Sequence, residues 1–443
     1  MIAEKVKYKR TGIDWMPEVP EHWQLWKVSR AFNIIGSGTT PESGNLRYYN
    51  NGTINWVVTG DLNDDLVQTC ENKITRAAFE RHSALKIFPK GTLLVAMYGA
   101  TIGKTGLLDF DACTNQACCA LGGSEVLLTK FVYYWFFLNR PNVVRLSYGG
   151  GQPNISQDVI MQLRIQTPTI EEQERIVSFL DSQSAKITHF IRTKQRFIAL
   201  LKEQRQSIIT HAVTKGIDDE VKMKDSGVEW IGEVPEHWEV RRLGTIGRFS
   251  KGGNISRSEL THSDDGIAAI LYGDLYTKYD IVAESIINRI SEKTAEKSIM
   301  LQKGDLLFTG SGETKEDIGK CVIFHSVEPT YAGGDVIIFK QNIFDSYFIS
   351  YSQNSSIAKY QKAIASKGEI IVHTYGSKLR DVIMPYPPTI EEQQKIVAYI
   401  KAETRTIDIA ISKAEREIEL MKEYREAMIA EAVMGRMEIT EGK

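Results

Sequence analysis

The feature that most constrains this chain is a heptad helix that it contains twice. Pro168-Thr-Ile-Glu-Glu-Gln173 opens one copy and Pro388-Thr-Ile-Glu-Glu-Gln393 the other, 220 positions further on. In each, the threonine (Thr169, Thr389) is placed to cap the helix, and the glutamate three residues on (Glu172, Glu392) to complete a capping box. Beyond the caps, apolar residues recur at three-then-four spacing. Position a is Val177, Ser184, Ile191, Ile198, Arg205, Ala212, and position d is Leu180, Ile187, Lys194, Leu201, Ile208. The second copy has Val397, Thr404, Ile411, Ile418, Arg425, Ala432 at a, and Ile400, Ile407, Ala414, Met421, Met428 at d. A seam held for about five heptads reads as a coiled coil rather than a helix lying on a globular core. At about 1.5 Å per residue, roughly 43 residues make a rod of about 65 Å.

The polar interruptions correspond as well, Ser184 with Thr404 and Arg205 with Arg425, and polar groups in a seam can fix register. From Ile170 to Gly216 there are eight Lys/Arg against five Asp/Glu, and from Ile390 to Lys443 nine against twelve. One basic and one acidic helix suit antiparallel pairing. Two independent solvated faces would give the same counts.

A second duplication lies outside the helices. Gly12-Ile-Asp-Trp15 followed by Val19-Pro-Glu-His-Trp23 recurs as Gly227-Val-Glu-Trp230 followed by Val234-Pro-Glu-His-Trp238, an offset of 215. A period this long means duplicated domains, not a solenoid. The blocks between Trp segment and helix contain short apolar runs bounded by Gly, Asn and Asp, which read as strands. In the first block these are Thr53–Val58, Gly91–Met97 and Ala117–Leu121, with a buried helix over Phe131–Asn139. In the second they are Gly266–Leu271, Gly304–Phe308 and Val336–Phe339. The blocks align at Gly60-Asp61-Leu62 with Gly273-Asp274-Leu275, and at Lys90-Gly91 with Lys303-Gly304, and diverge elsewhere. The fold class is therefore α/β (α+β), with an internal pseudo-two-fold repeat of two globular domains joined by two long antiparallel coiled-coil helices. The divisions are 1–25, 26–167, 168–216, 217–240, 241–387 and 388–443.

Composition excludes some classes. With 42% apolar residues and no apolar run near 18 residues, a membrane span is not expected. Met1 to Arg10 carry charge with no apolar stretch behind them, so no secretory signal is expected. Five cysteines, odd in number and without a CxxC pair, suit a reducing cytoplasm and neither a disulfide framework nor a zinc site. A net charge of −2 and a pI near 6.5 give no bulk attraction to nucleic acid, so local patches must supply it.

Phe308-Thr-Gly-Ser-Gly312 is similar to the loop that holds S-adenosylmethionine in methyltransferases. The chain lacks the companion Asp/Asn-Pro-Pro-aromatic loop, for Tyr386-Pro-Pro-Thr389 has neither end right. Gly99-Ala-Thr-Ile-Gly-Lys-Thr105 is one residue short of a nucleotide-binding phosphate loop, although it could touch a DNA phosphate. His22 and His237, inside the repeated segments, suit packing or capping. No catalytic residue and no metal site is expected.

Polar and aromatic loop clusters carry the better signal. The first block offers Thr39, Thr40, Arg47, Tyr48, Tyr49, Lys104, Asn115, Gln116, Gln152 and Asn154. The second offers Lys251, Asn254, Arg257, Thr314, Lys315, Lys367, His373 and Tyr375. Arg and Lys can pair with guanine and Asn and Gln with adenine, while glycines let the backbone approach phosphates.

Duplicated Pro-Glu-His-Trp segments, two divergent blocks and two Pro-Thr-Ile-Glu-Glu-Gln helices together resemble the specificity subunit of type I restriction-modification systems, over essentially the whole chain. The resemblance implies that each block is a target recognition domain reading half of a split sequence in double-stranded DNA, with the helices as the spacer. It further implies two adenine-N6 methyltransferase subunits as partners, and restriction subunits through them. S-adenosylmethionine, ATP and magnesium then belong to those partners and none to this chain. The alternative from another class is a coiled-coil scaffold whose blocks bind proteins. A third, that the chain is itself a methyltransferase, rests on Phe308–Gly312.

Overall fold

Both long helices begin where the threonines place them. In a computed structural model describing residues 7–148, 153–261, 266–368 and 372–439, they run Ile170–Lys215 and Ile390–Val433, 46 and 44 residues. The Thr169 and Thr389 hydroxyls each accept the backbone N–H of the glutamate three residues on, at 3.3 Å. The other half of the expected capping box is replaced. The Glu172 carboxylate accepts the Trp23 indole N–H at 3.0 Å, and Glu392 accepts that of Trp238 at 2.8 Å. Both indoles are fully buried, so without an acceptor each N–H would be stranded away from water. His22 and His237 add Nε2 contacts to the same carboxylates at 3.2 and 3.0 Å. The two sequence repeats are therefore halves of one device.

Gln173 and Gln393 extend it. Gln173 Oε1 accepts the N–H of Leu128, the residue before the helix Thr129–Arg145, at 2.8 Å. Gln393 Oε1 accepts that of Asp345, the cap of the helix Ser346–Gln353, at 2.7 Å.

The chain divides into two compact units. One holds residues up to Thr193 together with those from Glu417 on, and the other holds Lys194 to Arg416. In the first unit, Trp23 packs at the start of the first long helix and against Gly435, just past the end of the second. Gly435 has φ +67°, and a Cβ there would sit 2.6 Å from Pro20 and 2.8 Å from Trp23. In the second unit, Trp238 packs at the start of the second helix and beside Gly216, φ +81°, past the end of the first. Glycine is required at both ends because the chain leaves each helix through the left-handed region.

The antiparallel sense follows within each unit. Leu180, Ile187, Met428 and Ala432 share the first unit's core, with Val177, Ile191 and Met421 half-buried against it. Ala212, Val397 and Ile400 share the second unit's core. Of the remaining seam positions, Ile198, Ile407, Ile411 and Ile418 are buried, and Leu201 and Ile208 half-buried. Near the helix ends the apolar stripe widens to Ile176, Ile209, Val213, Ile396 and Ile429, because a globular domain packs on the pair there. Thr404 turns its hydroxyl back to the Ile400 carbonyl of its own helix, 2.8 Å, so it does not lock the seam. Arg205 does cross it, bonding Asp408 at 2.8 Å and Asp280 at 2.6 Å. Its counterpart Arg425 lies over the Phe137 ring.

The globular parts share one topology. The first unit's main sheet has the order Ile34–Gly36, Cys118–Gly122, Leu93–Ala96, Thr105–Leu108, Asp65–Val67, with only the last pair parallel. The second unit's has the order Arg248–Lys251, Val336–Lys340, Leu306–Thr309, Cys321–Phe324, Val282–Ala283, with the same parallel pair. A second sheet in each contains a parallel pair, Ile54–Val57 with Cys113–Thr114 and Ile267–Ile270 with Thr330–Ala332. Central strands are apolar throughout because both faces are covered. Leu93 and Val95 face the helices while Leu94 and Ala96 face another cluster. Leu306 and Phe308 alternate with Leu307 in the same way. The aligned aspartates close matching turns, Asp61 accepting the Val58 N–H and Asp274 the Leu271 N–H, both at 2.8 Å. Gly91 and Gly304 sit at matching turns with φ +86° and +95°.

Burial pushes the thiols of Cys119 and Cys321 up to about 12 and that of Cys113 to about 11. Neighbours Cys118 and Cys119 point to opposite faces of their strand, into different clusters. Among the described residues, no helix is long and apolar enough to cross a membrane.

Candidate nucleic-acid interface

The second unit gathers several of its expected residues around one cleft. Two adjoining cavities, about 780 and 400 Å³, share Lys251, Gly334 and Asp335. Lys251, Asn254 and Arg257 line the larger, and Lys251, His373 and Tyr375 the smaller. Lys251, Asn254, Arg257 and Tyr375 are exposed. They converge because the loop leaving Arg248–Lys251 crosses the end of Thr330–Ala332. Gly252 N–H reaches the Val336 carbonyl at 2.9 Å, and Gly253 N–H the Ala332 carbonyl at 2.8 Å. A Cβ on Gly252 would collide with the Gly333 carbonyl, so only glycine permits this crossing. The cleft floor is a fixed polar network. Asp274 takes the Asn288 side-chain amide at 2.7 Å and Lys278 at 3.0 Å, and Lys278 also bonds Asn288 at 3.0 Å.

Sequence reasoning missed Tyr272, Lys278, Asn288, Asp335 and Arg380, all of which line the cleft. Their signal lay partly in the aligned Gly273-Asp274 turn, which places Tyr272 and Lys278 on either side of it. Thr314 and Lys315 are exposed on the loop after Ser311–Gly312 and do not line the cleft. Lys367 is exposed and pairs through its backbone with His373. The methyltransferase-like stretch is built into this wall. Ser311–Gly312 pairs with Val372–His373, and a Cβ on Gly312 would stand 2.7 Å from the Tyr276 hydroxyl.

The first unit holds an equivalent crossing with different chemistry. Gly38 N–H reaches Thr114 Oγ1 at 3.0 Å, and a Cβ there would collide with the Thr114 carbonyl. Thr39, Thr40, Tyr49 and Gln116 gather near Trp56. Its indole N–H donates to the Thr39 carbonyl at 3.1 Å, Thr40 donates to Gln116 at 2.8 Å, and the Tyr49 ring meets Trp56 edge-on. Burial pushes the Tyr49 hydroxyl's pKa up, which keeps it a donor, here to the Pro41 carbonyl. Tyr48 lies edge-on to His82, and Arg47 is exposed. Asn115 is half-buried and closes its own turn, its Oδ1 accepting the Ala117 N–H at 3.1 Å. Lys104 and Asn154 fall elsewhere. Lys104 closes the turn after Gly99–Thr101, and Asn154 pairs through its backbone with Tyr148. Gln152 lies outside the described residues.

Among the described residues, no group of three or more His, Cys, Asp or Glu is placed to hold a metal ion. What the fold defines is a duplicated two-domain protein, each unit carrying its own polar loop surface and its own stretches of the two long helices. The comparisons specify the class further. The model of the type I restriction modification DNA specificity domain matches residues 20–196 and again 235–420. The chain belongs to that family, and DNA recognition is the role that membership gives it.

Over 447 residues it is 22% identical to the type I restriction enzyme MjaIX specificity subunit of Methanocaldococcus jannaschii, covering 99% of this chain and 98% of the relative. Over 214 residues it is 23% identical to the EcoR124I/EcoR124II specificity subunit of Escherichia coli, covering 47% of each. In fold it is similar to a chain solved in a study of assembly and conformational transition of the type I restriction-modification system. The TM-score is 0.69 at 15% identity, covering 95% of this chain and 99% of the other.

Proposed function

We propose that residues 26–167 and 241–387 each read one half of a bipartite, gapped DNA site, and that the paired long helices set the gap. The helices also dock two adenine-N6 methyltransferase subunits and, through them, restriction subunits. S-adenosylmethionine belongs to the methyltransferase, and ATP and magnesium to the restriction subunit. This chain performs no chemistry; it chooses where the partners act. The complex works in the cytoplasm, where its DNA is.

The observation that carries this is the contrast between what the two units share and what they do not. The Trp–Glu device, the sheet order and the glycine crossing are common to both. The loops on that scaffold differ, with Lys251, Asn254 and Arg257 around a cleft in one and a Trp56-centred Thr/Tyr/Gln surface in the other. A common frame with different base-facing chemistry is what two half-sites of different sequence require.

With a net charge of −2, phosphate attraction must come from local patches and from partner subunits. The complex with its methyltransferase should bind duplex DNA with affinity that falls steeply as salt rises. A protein-binding scaffold would show no such duplex binding. Lengthening each long helix by four residues adds about 6 Å of rod, roughly two base pairs of duplex. The gap should lengthen while both half-sites stay the same; an unchanged gap counts against the ruler.

A further inference from the structure

In the cleft wall of the second unit, Ser311, Asp335 and His373 form a hydrogen-bond chain whose proton count determines what the imidazole offers. Ser311 and His373 face each other in the ladder of Ser311–Gly312 with Val372–His373. The His373 backbone is tied again on its other side, its N–H to the Lys367 carbonyl at 2.8 Å and its carbonyl to the Lys367 N–H at 3.1 Å. The ring is thus carried on backbone held from two sides. Its Nδ1 lies 3.0 Å from Ser311 Oγ, which in turn lies 3.4 Å from Asp335 Oδ2.

Ser311 is 4% exposed, so protein groups rather than bulk water decide where its single proton goes. Given to Nδ1, the proton would leave the oxygen's lone pairs facing a carboxylate that can only accept. Given to Asp335, it lets Oγ accept Nδ1–H, and both contacts are satisfied. The neutral ring then carries its proton on Nδ1 and presents Nε2 as an acceptor. That nitrogen is the polar atom the ring has left, and the ring lines the cleft beside Lys251, Tyr375 and Arg380. Those two cations can only donate, which suits guanine or phosphate. His373 supplies the complementary function.

We infer that His373 reads a base by accepting a hydrogen bond from an exocyclic amino group, adenine N6 or cytosine N4, on the major-groove edge of the half-site bound by the second domain. Ser311 and Asp335 act as positioning residues that hold the tautomer. This rests on the DNA-reading function proposed above.

The test uses the chain assembled with its methyltransferase and a duplex carrying its gapped site. Adenines and cytosines of the second half-site are replaced singly by analogues lacking only the amino group. Wild type should lose about tenfold in affinity at one position, and His373→Ala should be indifferent at that position while keeping its other preferences. Whether the responding base is adenine or cytosine identifies the donor.

Asp335→Asn is the sharper variant. Its amide can donate to Ser311, releasing the hydroxyl proton to Nδ1 and leaving Nε2–H as a donor. Preference at that one position should then move from an amino-bearing base to guanine or thymine. A merely structural role would instead erode all second-half preferences together, with no exchange at a single position, and that result overturns the inference. So does a wild-type complex that reads its site with no amino-group position tied to His373. A complex with no sequence preference at all would overturn the DNA-reading function itself.

Discussion

The pairing of Trp238 with Glu392 should be measurable as a coupling energy. Trp238 is fully buried, donates its indole N–H to Glu392 at 2.8 Å, and meets Phe348 edge-on. Trp238→Phe keeps most of the ring and removes the N–H. A hydrogen bond to a charged group contributes about 1.5–3 kcal/mol. The Glu392 side chain is 31% exposed, so water partly replaces the lost donor, and the lower part of that range, roughly 1.5–2 kcal/mol, applies. Glu392→Ala removes the acceptor and also a favourable charge at the helix N-terminus. The double-mutant cycle cancels that second effect. In the first unit, Trp23 and Glu172 are 3.0 Å apart and the Glu172 side chain is 23% exposed, so the coupling there should be equal or slightly larger. Urea unfolding of the full chain, followed by hydrogen exchange of amides in 390–400 and 170–180, reads each unit separately. Coupling below about 0.5 kcal/mol in both would refute the reasoning, leaving packing as the reason the tryptophans recur.

Three further outcomes follow. Lys362 is 1% exposed and donates to the carbonyls of Gly319 and Gln353 at 2.5 and 2.7 Å. Burial pushes its pKa from 10.5 down to about 7, against the opposing pull of Cys321. Between those values the unfolded chain holds the proton that the folded chain has lost, so the contribution of Lys362 to stability rises with pH by about one proton, and it is read between about pH 7 and 8, below the range in which the unfolded chain's thiols ionise and pull the other way. Lys362→Met should remove that slope from urea midpoints, and an unchanged slope contradicts the assignment. Arg205→Leu should cost at most about 2 kcal/mol, because Asp280 and Asp408 are 65% and 48% exposed. It should leave the DNA motif intact, and loss of DNA binding with the helices still folded would contradict its seam role. The four-residue helix insertions should lengthen the gap and nothing else, as methylation mapping would report.

The long helices were legible because one heptad seam dictates both a helix and its buried face. Their lashings were less so. Glu172 and Glu392 fit a capping box locally, and only the fold reveals that a tryptophan about 150 positions earlier takes the carboxylate. Sequence repeats locate partners without saying which atoms meet. The glycine crossing was half visible, since Gly38 and Gly252-Gly253 adjoin the loop residues Thr39, Thr40, Lys251 and Asn254, but the collision that requires them depends on strands far along the chain. Asp335 and Arg380 had no local pattern to mark them, because the cleft is assembled from segments spread over about 130 positions, from Lys251 to Arg380. Asn115 shows a use that polarity alone does not reveal: its side-chain oxygen closes its own turn.

The most direct measurement is a genome-wide map of N6-methyladenine in cells with and without this gene, repeated with the second block exchanged for that of a relative. The account predicts that a two-part gapped motif disappears with the gene, and that the exchange alters one half of the motif while the other half and the gap persist. A map that does not change when the gene is removed, or an exchange that alters both halves together, would contradict it.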